Sequence, residues 1–311
     1  MRLNYIDNID CMEGMIGIPA GSVDLIVTDP PYGTMRGAAL DGWSDETTRW
    51  DERVETARLF SEFQRVLREG GTCVVFSQEP LTSELRKQKT LGFAFAYPMV
   101  WEKDHFANAL IAKKAPVSYF EDISVFYKEY DRQNANPLRE YSAALFGWIG
   151  CSKKMIIGRV GQRADHFFRA ESMQFKLCTP ETYDALIDAY GIDRWAGFRS
   201  YAELQAIDAK YKRVFNLPAG AKTKSNILAY KKDYQGLHPT QKPVALIEDL
   251  VLTYSNHGDV VLDPFMGSGT TAAACVRTGR HYIGFELAEK YHKVALDRIR
   301  AATENKEGAA L

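Results

Sequence analysis

The sequence predicts an α/β fold, in which a mostly parallel β-sheet is covered by helices on both faces and carries a mainly helical insert. Short apolar runs rich in β-branched residues alternate with amphipathic segments of helical period in residues 1–130, and again in residues 236–311. Residues 131–235 lose this alternation and have helical spacing instead. Alternation of strands and helices is typical of parallel sheets, because each crossover between parallel strands places a helix on one face.

The two alternating parts predict the following elements. Strands are predicted at residues 23–27, 72–76, 123–127, 259–262 and 281–285. Helices are predicted at residues 47–68, 81–91, 244–255, 270–278 and 288–300. Apolar residues recur at steps of three and four in the helix at 47–68, and the pair Gly70 and Gly71 is expected to end it.

The middle part is predicted to contain helices with recognisable N-termini. Three helices joined by short links predict a helix-turn-helix at residues 138–149, 152–160 and 163–169. Thr179 before Pro180 predicts the start of another helix, and Ser200 with Glu203 predicts a capping box before a further helix to about residue 215. The change of pattern divides the chain into residues 1–130, 131–235 and 236–311.

Composition is that of an ordinary globular protein. Hydrophobic residues make up 46% and charged residues 25% of the 311 residues, and no stretch approaches the roughly 20 apolar residues of a membrane span. The five cysteines include no Cys-x-x-Cys pair, so neither a disulfide framework nor a metal site is expected. The N-terminus lacks the apolar run of a signal peptide, and we therefore expect a soluble, cytoplasmic protein without a membrane partner.

Charge is distributed unevenly, although the formal net charge is only −1. Residues 128–233 carry a net charge of +6, which leaves −7 on the rest of the chain. A basic region of this kind favours an anionic partner such as nucleic acid. A chance distribution of solvated charges explains the charge pattern equally well.

A glycine-rich loop joins the strand at 259–262 to the helix at 270–278, and its sequence from Asp263 is Asp-Pro-Phe-Met-Gly-Ser-Gly-Thr-Thr. Glycines allow a ligand to approach the helix N-terminus closely, and Glu286, at the end of the next strand, is placed to accept hydrogen bonds from ribose hydroxyls. The loop has neither the lysine of a P-loop nor the G-x-G-x-x-G spacing of dinucleotide sites, which favours a nucleoside without a long phosphate tail. A purely structural turn is the alternative.

A second loop, Asp-Pro-Pro-Tyr at residues 29–32, follows the strand at 23–27 and therefore faces the ligand crevice at the carboxyl end of the sheet. Asp29 and the Pro30 carbonyl can accept the N–H bonds of an exocyclic amine and draw its lone pair out of ring conjugation. Tyr32 can stack on a base flipped out of a duplex. The amine would then attack a methyl donor in line, without a covalent nucleophile. An ordinary proline turn is the alternative for this loop taken alone.

The two loops together resemble those of the amino-methylating DNA methyltransferases. The catalytic loop comes first, a variable insert second and the cofactor loop last, which is similar to the circularly permuted β group of that family. Further segments resemble the family in the same order, at residues 9–11, 66–72, 101–103, 125–128 and 238–243. The resemblance covers residues 1–130 and 236–311, and it implies a Rossmann-like methyltransferase sheet that binds S-adenosylmethionine.

The resemblance also implies roles for particular residues. The expected cofactor pocket consists of Asp10, Cys11, Asp29, Lys242, Asp263, Pro264, Phe265, Gly267, Ser268, Gly269, Thr270 and Glu286. The expected catalytic residues are Asp29, Pro30 and Tyr32. The sequence departs from the family at Phe120, which stands before Glu121 where members often have histidine.

The insert lies where this family places its target-recognition region, and it is expected to bind double-stranded DNA. The residues expected to contact DNA are Lys153, Lys154, Arg159, Arg163, His166, Arg169 and Gln174. The cations among them would neutralise phosphates, and the polar side chains would contact base edges. The alternative is a plain packing unit in which Phe167 and Phe168 belong to the core. Residues 33–50 are expected to form either a lid over the base or a surface loop.

The resulting hypothesis is a site-specific DNA methyltransferase that acts on the N6 amine of adenine, with or without an accompanying restriction enzyme. Asp29 favours adenine, because Ser is commoner at this position in cytosine-N4 enzymes. Cytosine-N4 methylation is the first alternative. The second is a catalytically inactive DNA-binding regulator, which the complete loops disfavour, and the third is methylation of RNA or protein, for which relatives usually have Asn at this position. A homodimer is an expectation at the level of the family.

Overall fold

The computed structural model describes residues 1–33, 53–107, 112–129, 137–172, 174–233 and 240–308. Most of the expected lid at 33–50, the start of the helix expected at 47–68, and His238 with Pro239 lie outside these ranges. In the described residues the strands are β1 (Tyr5–Asp7), β2 (Val23–Thr28), β3 (Leu67–Ser77), β4 (Phe93–Ala107), β5 (Ser118–Lys128), β6 (Ile227–Ala229), β7 (Val260–Asp263) and β8 (His281–Phe285).

The described helices follow the alternation expected from the sequence. They are α1 (Cys11–Ile16), α2 (Thr56–Val66), α3 (Leu81–Lys87), α4 (Pro137–Ile149), α5 (Lys153–Val160), α6 (Pro180–Tyr190), α7 (Tyr201–Tyr211), α8 (Val244–Tyr254), α9 (Thr270–Thr278) and α10 (Glu289–Gly308). Among the described residues, no helix has both the length and the apolar character that crossing a membrane requires.

The strands form one mixed sheet in the order β1-β8-β7-β2-β3-β5-β4-β6. The first five strands in this order, β1, β8, β7, β2 and β3, pair in parallel with their neighbours. β5 pairs antiparallel with both β3 and β4, and β6 pairs in parallel with β4. The predicted α/β class with a mostly parallel sheet is therefore confirmed.

Both faces of the sheet are covered by helices, as β2 demonstrates. Leu25 and Val27 belong to a core that includes buried residues of α8 and α9. Val23 and Ile26 belong to a second core that includes residues of α1 and α2. Because β2 is buried on both faces, its sequence is a nearly continuous apolar run instead of a polar–apolar alternation.

The chain order of the strands reverses direction between β2 and β7, which are hydrogen-bonded neighbours at the centre of the sheet. From β2 the chain continues to β3 on one side, and from β7 it continues to β8 on the other. Crossovers that leave in opposite directions open a crevice beyond the carboxyl ends of the two strands. The loops after β2 and β7 therefore meet at this crevice.

Several element boundaries differ from the predictions. Helix α2 ends at Val66, and Gly70 and Gly71 lie inside β3 instead of ending the helix. A Cβ at Gly71 would lie 2.9 Å from the Arg68 carbonyl oxygen, so glycine is needed where the pairing of β2 with β3 shifts register. The residue pattern did not predict β1, β4 or β6, because β1 and β6 have only three residues and β4 mixes charged and apolar residues. The family resemblance implied a strand at residues 101–103, which lie within β4.

Residues 130–212 form a compact unit of their own, distinct from the unit made by residues 1–129 and 213–311. Its helices α4 to α7 surround a separate core that includes Leu145, Phe167 and Tyr183. The predicted caps are present: Thr179 accepts a hydrogen bond from the Thr182 amide, and Ser200 and Glu203 form a capping box. The third helix of the expected helix-turn-helix is only a 3-10 turn at Gln162–Ala164.

The end of this compact unit at residue 212 differs from the boundary expected at residue 235. Strand β6 pairs with β4, and the Asn216 amide donates a hydrogen bond of 2.7 Å to the Thr253 carbonyl at the end of α8. Residues 213–233 therefore pack with the sheet. A three-residue strand carries too little periodicity for the sequence to reveal this.

Gly269 provides a test of the packing between α9 and α10. Its φ is +79°, and an added Cβ would lie 3.0 Å from the Ala295 Cα and Cβ atoms, whereas a Cβ at Gly258, with φ +83°, would meet open space. We expect Gly258→Ala to lower the free energy of unfolding by about 1 kcal/mol, the backbone penalty alone. Gly269→Ala should lower it by roughly 2–3 kcal/mol, because overpacking is added. Urea denaturation measures both, and equal losses would contradict the close helix packing.

Candidate active site

The loops after β2 and β7 line one cavity of about 530 Å³ at the carboxyl ends of these strands. Residues of the N-terminal segment, β4, β5 and the segment at 240–242 complete its walls. A cavity of this size suits a small-molecule ligand. It contains all the expected catalytic residues and all the expected cofactor residues except Gly269, which occupies the N-cap of α9.

Asp263, at the end of β7, holds the two loops together. Its Oδ1 accepts hydrogen bonds from Thr28 Oγ1 (2.8 Å) and from the Phe265 amide (3.1 Å), and its Oδ2 accepts one from Thr271 Oγ1 (2.6 Å). Burial raises the pKa of Asp263 to about 6, although these hydrogen bonds oppose the increase. Asp263 thus connects β2, β7 and α9.

Glu286, just after β8, supports the glycine loop from the other side. Its Oε2 accepts a hydrogen bond of 2.8 Å from the Gly267 amide, and its Oε1 accepts one of 2.8 Å from the Ala288 amide. Burial raises the pKa of this carboxyl group. Both carboxylate oxygens keep lone pairs, so the side chain can also accept hydrogen bonds from a ligand in the cavity.

Asp10 and Cys11, at the start of α1, also line the cavity. Asp10 caps α1, because its Oδ1 accepts hydrogen bonds from the amides of Met12 (2.8 Å) and Glu13 (3.3 Å). Burial raises the pKa of the Cys11 thiol to about 12, so this thiol is not a reactive thiolate at neutral pH.

Arg298 of α10 reaches the glycine loop and was not predicted from the sequence. Its guanidinium donates hydrogen bonds to Thr270 Oγ1 (2.8 Å) and Ser268 Oγ (3.2 Å). Each hydroxyl accepts a hydrogen bond from Arg298, so its own hydrogen remains available to donate to a ligand.

In the loop after β2, both oxygens of Asp29 accept hydrogen bonds. The Tyr32 hydroxyl donates to Oδ1 at 2.6 Å, and the Lys242 ammonium donates to Oδ2. Burial raises the pKa of Asp29, whereas the Lys242 charge opposes this change. The sequence placed Lys242 in the expected cofactor pocket, and in the structure its ammonium group contacts Asp29, the expected catalytic carboxylate of the same cavity.

Two further charges extend this arrangement. Glu121 of β5 contacts two lysines. Its Oε2 atom lies 3.2 Å from Lys242 Nζ, and its Oε1 atom accepts a hydrogen bond of 2.9 Å from Lys103 Nζ of β4. Burial lowers the tendency of Lys242 to carry charge, but Asp29 and Glu121 outweigh burial and raise its pKa. The lysines likewise lower the pKa of Glu121 against the effect of burial. The cavity wall therefore carries alternating charges in the order Asp29, Lys242, Glu121 and Lys103.

Glu121 and Lys103 were not among the predicted site residues. Lys103 lies in the charged segment at residues 102–104 of β4, and Glu121 lies near the start of β5, before an apolar run. Among the described residues, no group of three or more His, Cys, Asp or Glu side chains is arranged to hold a metal ion.

The residues expected to contact DNA differ in their surroundings within the helical unit. Lys153 Nζ (2.9 Å) and Arg169 form ion pairs with buried Asp165. The Arg159 guanidinium lies 5.2 Å from the centre of the Tyr190 ring, and His166 Nδ1 lies 3.1 Å from the Gln174 carbonyl oxygen. The side chains of Lys154, Arg163, His166 and Gln174 are exposed.

Comparison with known proteins identifies the family of this chain. A family model of N6 and N4 methyltransferases, described as "DNA methylase", matches residues 23–297. The DNA adenine methyltransferase YhdJ of Escherichia coli (strain K12) is 28% identical over 297 residues, which are 94% of this chain and 82% of that protein. The type II methyltransferase M2.DpnII of Streptococcus pneumoniae is 45% identical over 71 residues, which are 23% of this chain and 26% of that protein.

Two solved structures share the fold. The M1.HpyAVI–SAM complex aligns with a TM-score of 0.53 at 21% identity and covers 95% of this chain and 98% of its own. The cytosine-N4-specific PvuII DNA methyltransferase aligns with a TM-score of 0.55 at 15% identity and covers 96% of this chain and 89% of its own. Because the family model matches residues 23–297, which are most of the chain, the chain belongs to the N6/N4 family of DNA methylases and is a DNA methyltransferase.

Proposed function

We propose that this DNA methyltransferase transfers a methyl group from S-adenosylmethionine to the N6 amine of adenine in double-stranded DNA. The observation that carries the proposal is the position of Asp29 and Pro30 at the end of β2, in the same cavity as the glycine loop after β7. A carboxylate and a carbonyl group at this point can accept the hydrogens of an exocyclic amine beside a bound cofactor.

S-adenosylmethionine is the cofactor that fits this cavity. Asp10 and Glu286 offer carboxylates to hydroxyl groups, and neither loop carries the lysine that a phosphate tail would need. We assign the pocket to Asp10, Cys11, Asp29, Lys242, Asp263, Pro264, Phe265, Gly267, Ser268, Gly269, Thr270 and Glu286. When bound, the cofactor supplies an electrophilic methyl group.

Each residue of the catalytic loop then has a separate role in binding the base. Asp29 and the Pro30 carbonyl accept the amine hydrogens, so that the nitrogen lone pair is released from conjugation with the ring. Tyr32, fixed by its hydrogen bond to Asp29, stacks on a base that has been flipped out of the duplex. The raised pKa of Cys11 supports direct transfer, because this cysteine of the cavity has no thiolate to act as a nucleophile.

The order of the loops supports assignment to the β group of the family. The catalytic loop follows β2, the helical unit comes next, and the glycine loop follows β7. The geometry of the site does not depend on which loop comes first in the chain, because β2 and β7 are neighbours in the sheet.

We assign target recognition to the helical unit at residues 130–212. Exposed Lys154, Arg163, His166 and Gln174 are the candidates for direct contacts with phosphates and base edges. Lys153 and Arg169 already pair with Asp165, and Arg159 lies over an aromatic ring, so they contribute to the fold of the unit as well as to its positive charge.

Adenine is preferred to cytosine for two reasons. Asp29 begins the catalytic loop, and the YhdJ protein, which is matched over most of this chain, is a DNA adenine methyltransferase. The fold does not discriminate, because a cytosine-N4 enzyme shares it. Cytosine-N4 methylation is therefore the second candidate, and the likeness to M2.DpnII supports a restriction–modification setting.

The base is tested by incubating the protein with genomic DNA and methyl-labelled S-adenosylmethionine, followed by digestion to nucleosides and chromatography. We expect the label in N6-methyladenine, because the loop around Asp29 is built for an exocyclic amine. Label in N4-methylcytosine would keep the chemistry and overturn the base assignment. Cofactor binding without label in any nucleoside would favour a catalytically inactive, DNA-binding protein.

The cofactor pocket is tested by Glu286→Gln, with Glu289→Gln as the matched control. Neutralising Glu286 removes a charge-assisted acceptor for ribose hydroxyls, so we expect the Kd of S-adenosylmethionine to rise about tenfold in calorimetry. Glu289 is exposed on α10 and pairs with Lys293, and its substitution should leave the Kd unchanged. An unchanged Kd for both variants would exclude Glu286 from the pocket.

Target recognition is tested by the double variant Lys154→Ala/Arg163→Ala. We expect weaker duplex binding and a decrease of about 2 in the slope of log Kd against log salt, because each phosphate contact contributes about 0.9. The control is Lys293→Ala/Arg300→Ala, which removes two exposed cations of α10. If the control changes the slope and the double variant does not, DNA binds through α10 instead.

A further inference from the structure

Lys242 lies between two carboxylates, one of which belongs to the catalytic loop. Its ammonium group donates a hydrogen bond to Asp29 Oδ2, and its Nζ lies 3.2 Å from Glu121 Oε2. The side chain of Lys242 is only 6% exposed and that of Glu121 only 9%. A small rotation of the lysine side chain would therefore transfer its hydrogen bond from one carboxylate to the other, without exposure to solvent.

The two oxygens of Glu121 differ in their contacts. Oε1 accepts hydrogen bonds from Lys103 Nζ (2.9 Å) and Gln78 Nε2 (3.3 Å). Oε2 is fully buried and accepts no hydrogen bond from the described residues, although it faces the Lys242 charge. A buried carboxylate oxygen without an aligned donor is unfavourable, so Oε2 can accept a hydrogen bond from a Lys242 ammonium group that turns towards it.

Asp29, in contrast, has a donor on each oxygen before any substrate binds. Oδ1 accepts from Tyr32 and Oδ2 accepts from Lys242. Each oxygen keeps a second lone pair, but an amine that donates to Oδ2 competes with the ammonium group for the same negative charge. The competition also affects the reaction, because the attacking nitrogen gains positive charge, and a cation on Asp29 weakens the stabilisation that the carboxylate can provide.

We propose that Glu121 is a positioning residue that receives the Lys242 ammonium when the substrate amine binds Asp29, so that the lysine exchanges one carboxylate for the other. The inference rests on the proposed amine methylation, since it concerns the same Asp29. Before the exchange, Lys242 neutralises Asp29. After it, Lys242 completes the hydrogen bonds of Glu121, and Asp29 is free to hold the amine.

The exchange keeps Lys242 paired with a carboxylate in both positions. Asp29 exchanges the cation for a hydrogen bond from a neutral amine, which becomes positively charged during transfer. Lys103 and Gln78 hold Glu121 in place on β5 throughout. Because breaking a buried ion pair without replacement is strongly unfavourable, this continuous pairing makes a movement of Lys242 feasible.

The decisive experiment compares Glu121→Gln, Lys242→Met and the double variant. In Glu121→Gln the alternative partner has no charge, so Lys242 stays on Asp29, and we expect kcat to fall about tenfold or more at saturating cofactor. In the double variant no cation competes for Asp29, so kcat should exceed that of Glu121→Gln. A purely structural role predicts the opposite, since removing both partners should then be at least as harmful as removing one.

The pH dependence of kcat provides a readout that a structural defect would not change. Activity requires ionised Asp29, so the acid limb follows its pKa. Lys242→Met leaves Asp29 facing Glu121 without a cation, which should move the limb to higher pH, and Glu121→Gln should move it to lower pH. The charged or titratable groups that face Asp29 or share its cavity are Lys242, Glu121, Tyr32, Asp263, Lys103, Asp10, Cys11, Arg53, His105, Lys232 and Glu286.

Lys224→Met serves as the matched control, because Lys224 is a similarly buried lysine that pairs with Asp249 (2.6 Å) away from the cavity. It should leave kcat and the acid limb unchanged. If Glu121→Gln does not fold, as judged by cofactor binding, Glu121→Asp replaces it, and adding Lys242→Met should again raise kcat.

The outcomes separate the exchange from the proposed function. A wild-type protein that labels no exocyclic amine of DNA overturns the proposed function, and the exchange with it. A wild-type protein that labels DNA, together with a double variant no more active than Glu121→Gln, overturns the exchange alone. Higher kcat in the double variant, with the opposite pH shifts of the single variants, supports it.

Discussion

The buried carboxylate of Asp263 is the constraint on which the active site depends. It receives hydrogen bonds from Thr28 at the end of β2 and from Thr271 at the start of α9, so it fixes the catalytic loop and the glycine loop at one distance from each other. Charged carboxylates are rarely buried without such partners. Here the partners come from the end of β2 and from the loop and helix that follow β7, and this is why the two loops can share one cavity.

A second constraint is charge balance in the wall of that cavity. Four charges from four chain segments alternate in sign, from Asp29 through Lys242 and Glu121 to Lys103. Removing any inner member would leave a like-charged pair or an unpaired ion in a buried place. The Asp29 carboxylate is therefore part of a network, and its affinity for protons depends on Lys242 and Glu121, which lie outside its own loop.

The helical unit combines exposed basic residues with a core of its own. Phe167 and Phe168 lie in its core, as the packing interpretation of the sequence anticipated. Arg163 and His166, in the segment between α5 and Phe167, are exposed. Asp165 holds Lys153 and Arg169 in place from a buried position. One short segment thus supplies both core and surface, because a tight turn directs neighbouring side chains to opposite sides.

Local patterns in the sequence determined the α/β class, the bounds of α9 and β8, the helix caps at Thr179 and Ser200 and the places of the two loops after β2 and β7, because each depends on residues close together in the chain. Strand β6, the place of Gly70 and Gly71 within β3, and the end of the helical unit at residue 212 depended on pairing between distant segments. The same holds for the partner of Lys242. The sequence placed this lysine near the expected cofactor, but its contacts with Asp29 and Glu121 are visible only in the tertiary structure. These ion pairs depend on which strand ends lie together in the fold, and spacing along the chain does not reveal that.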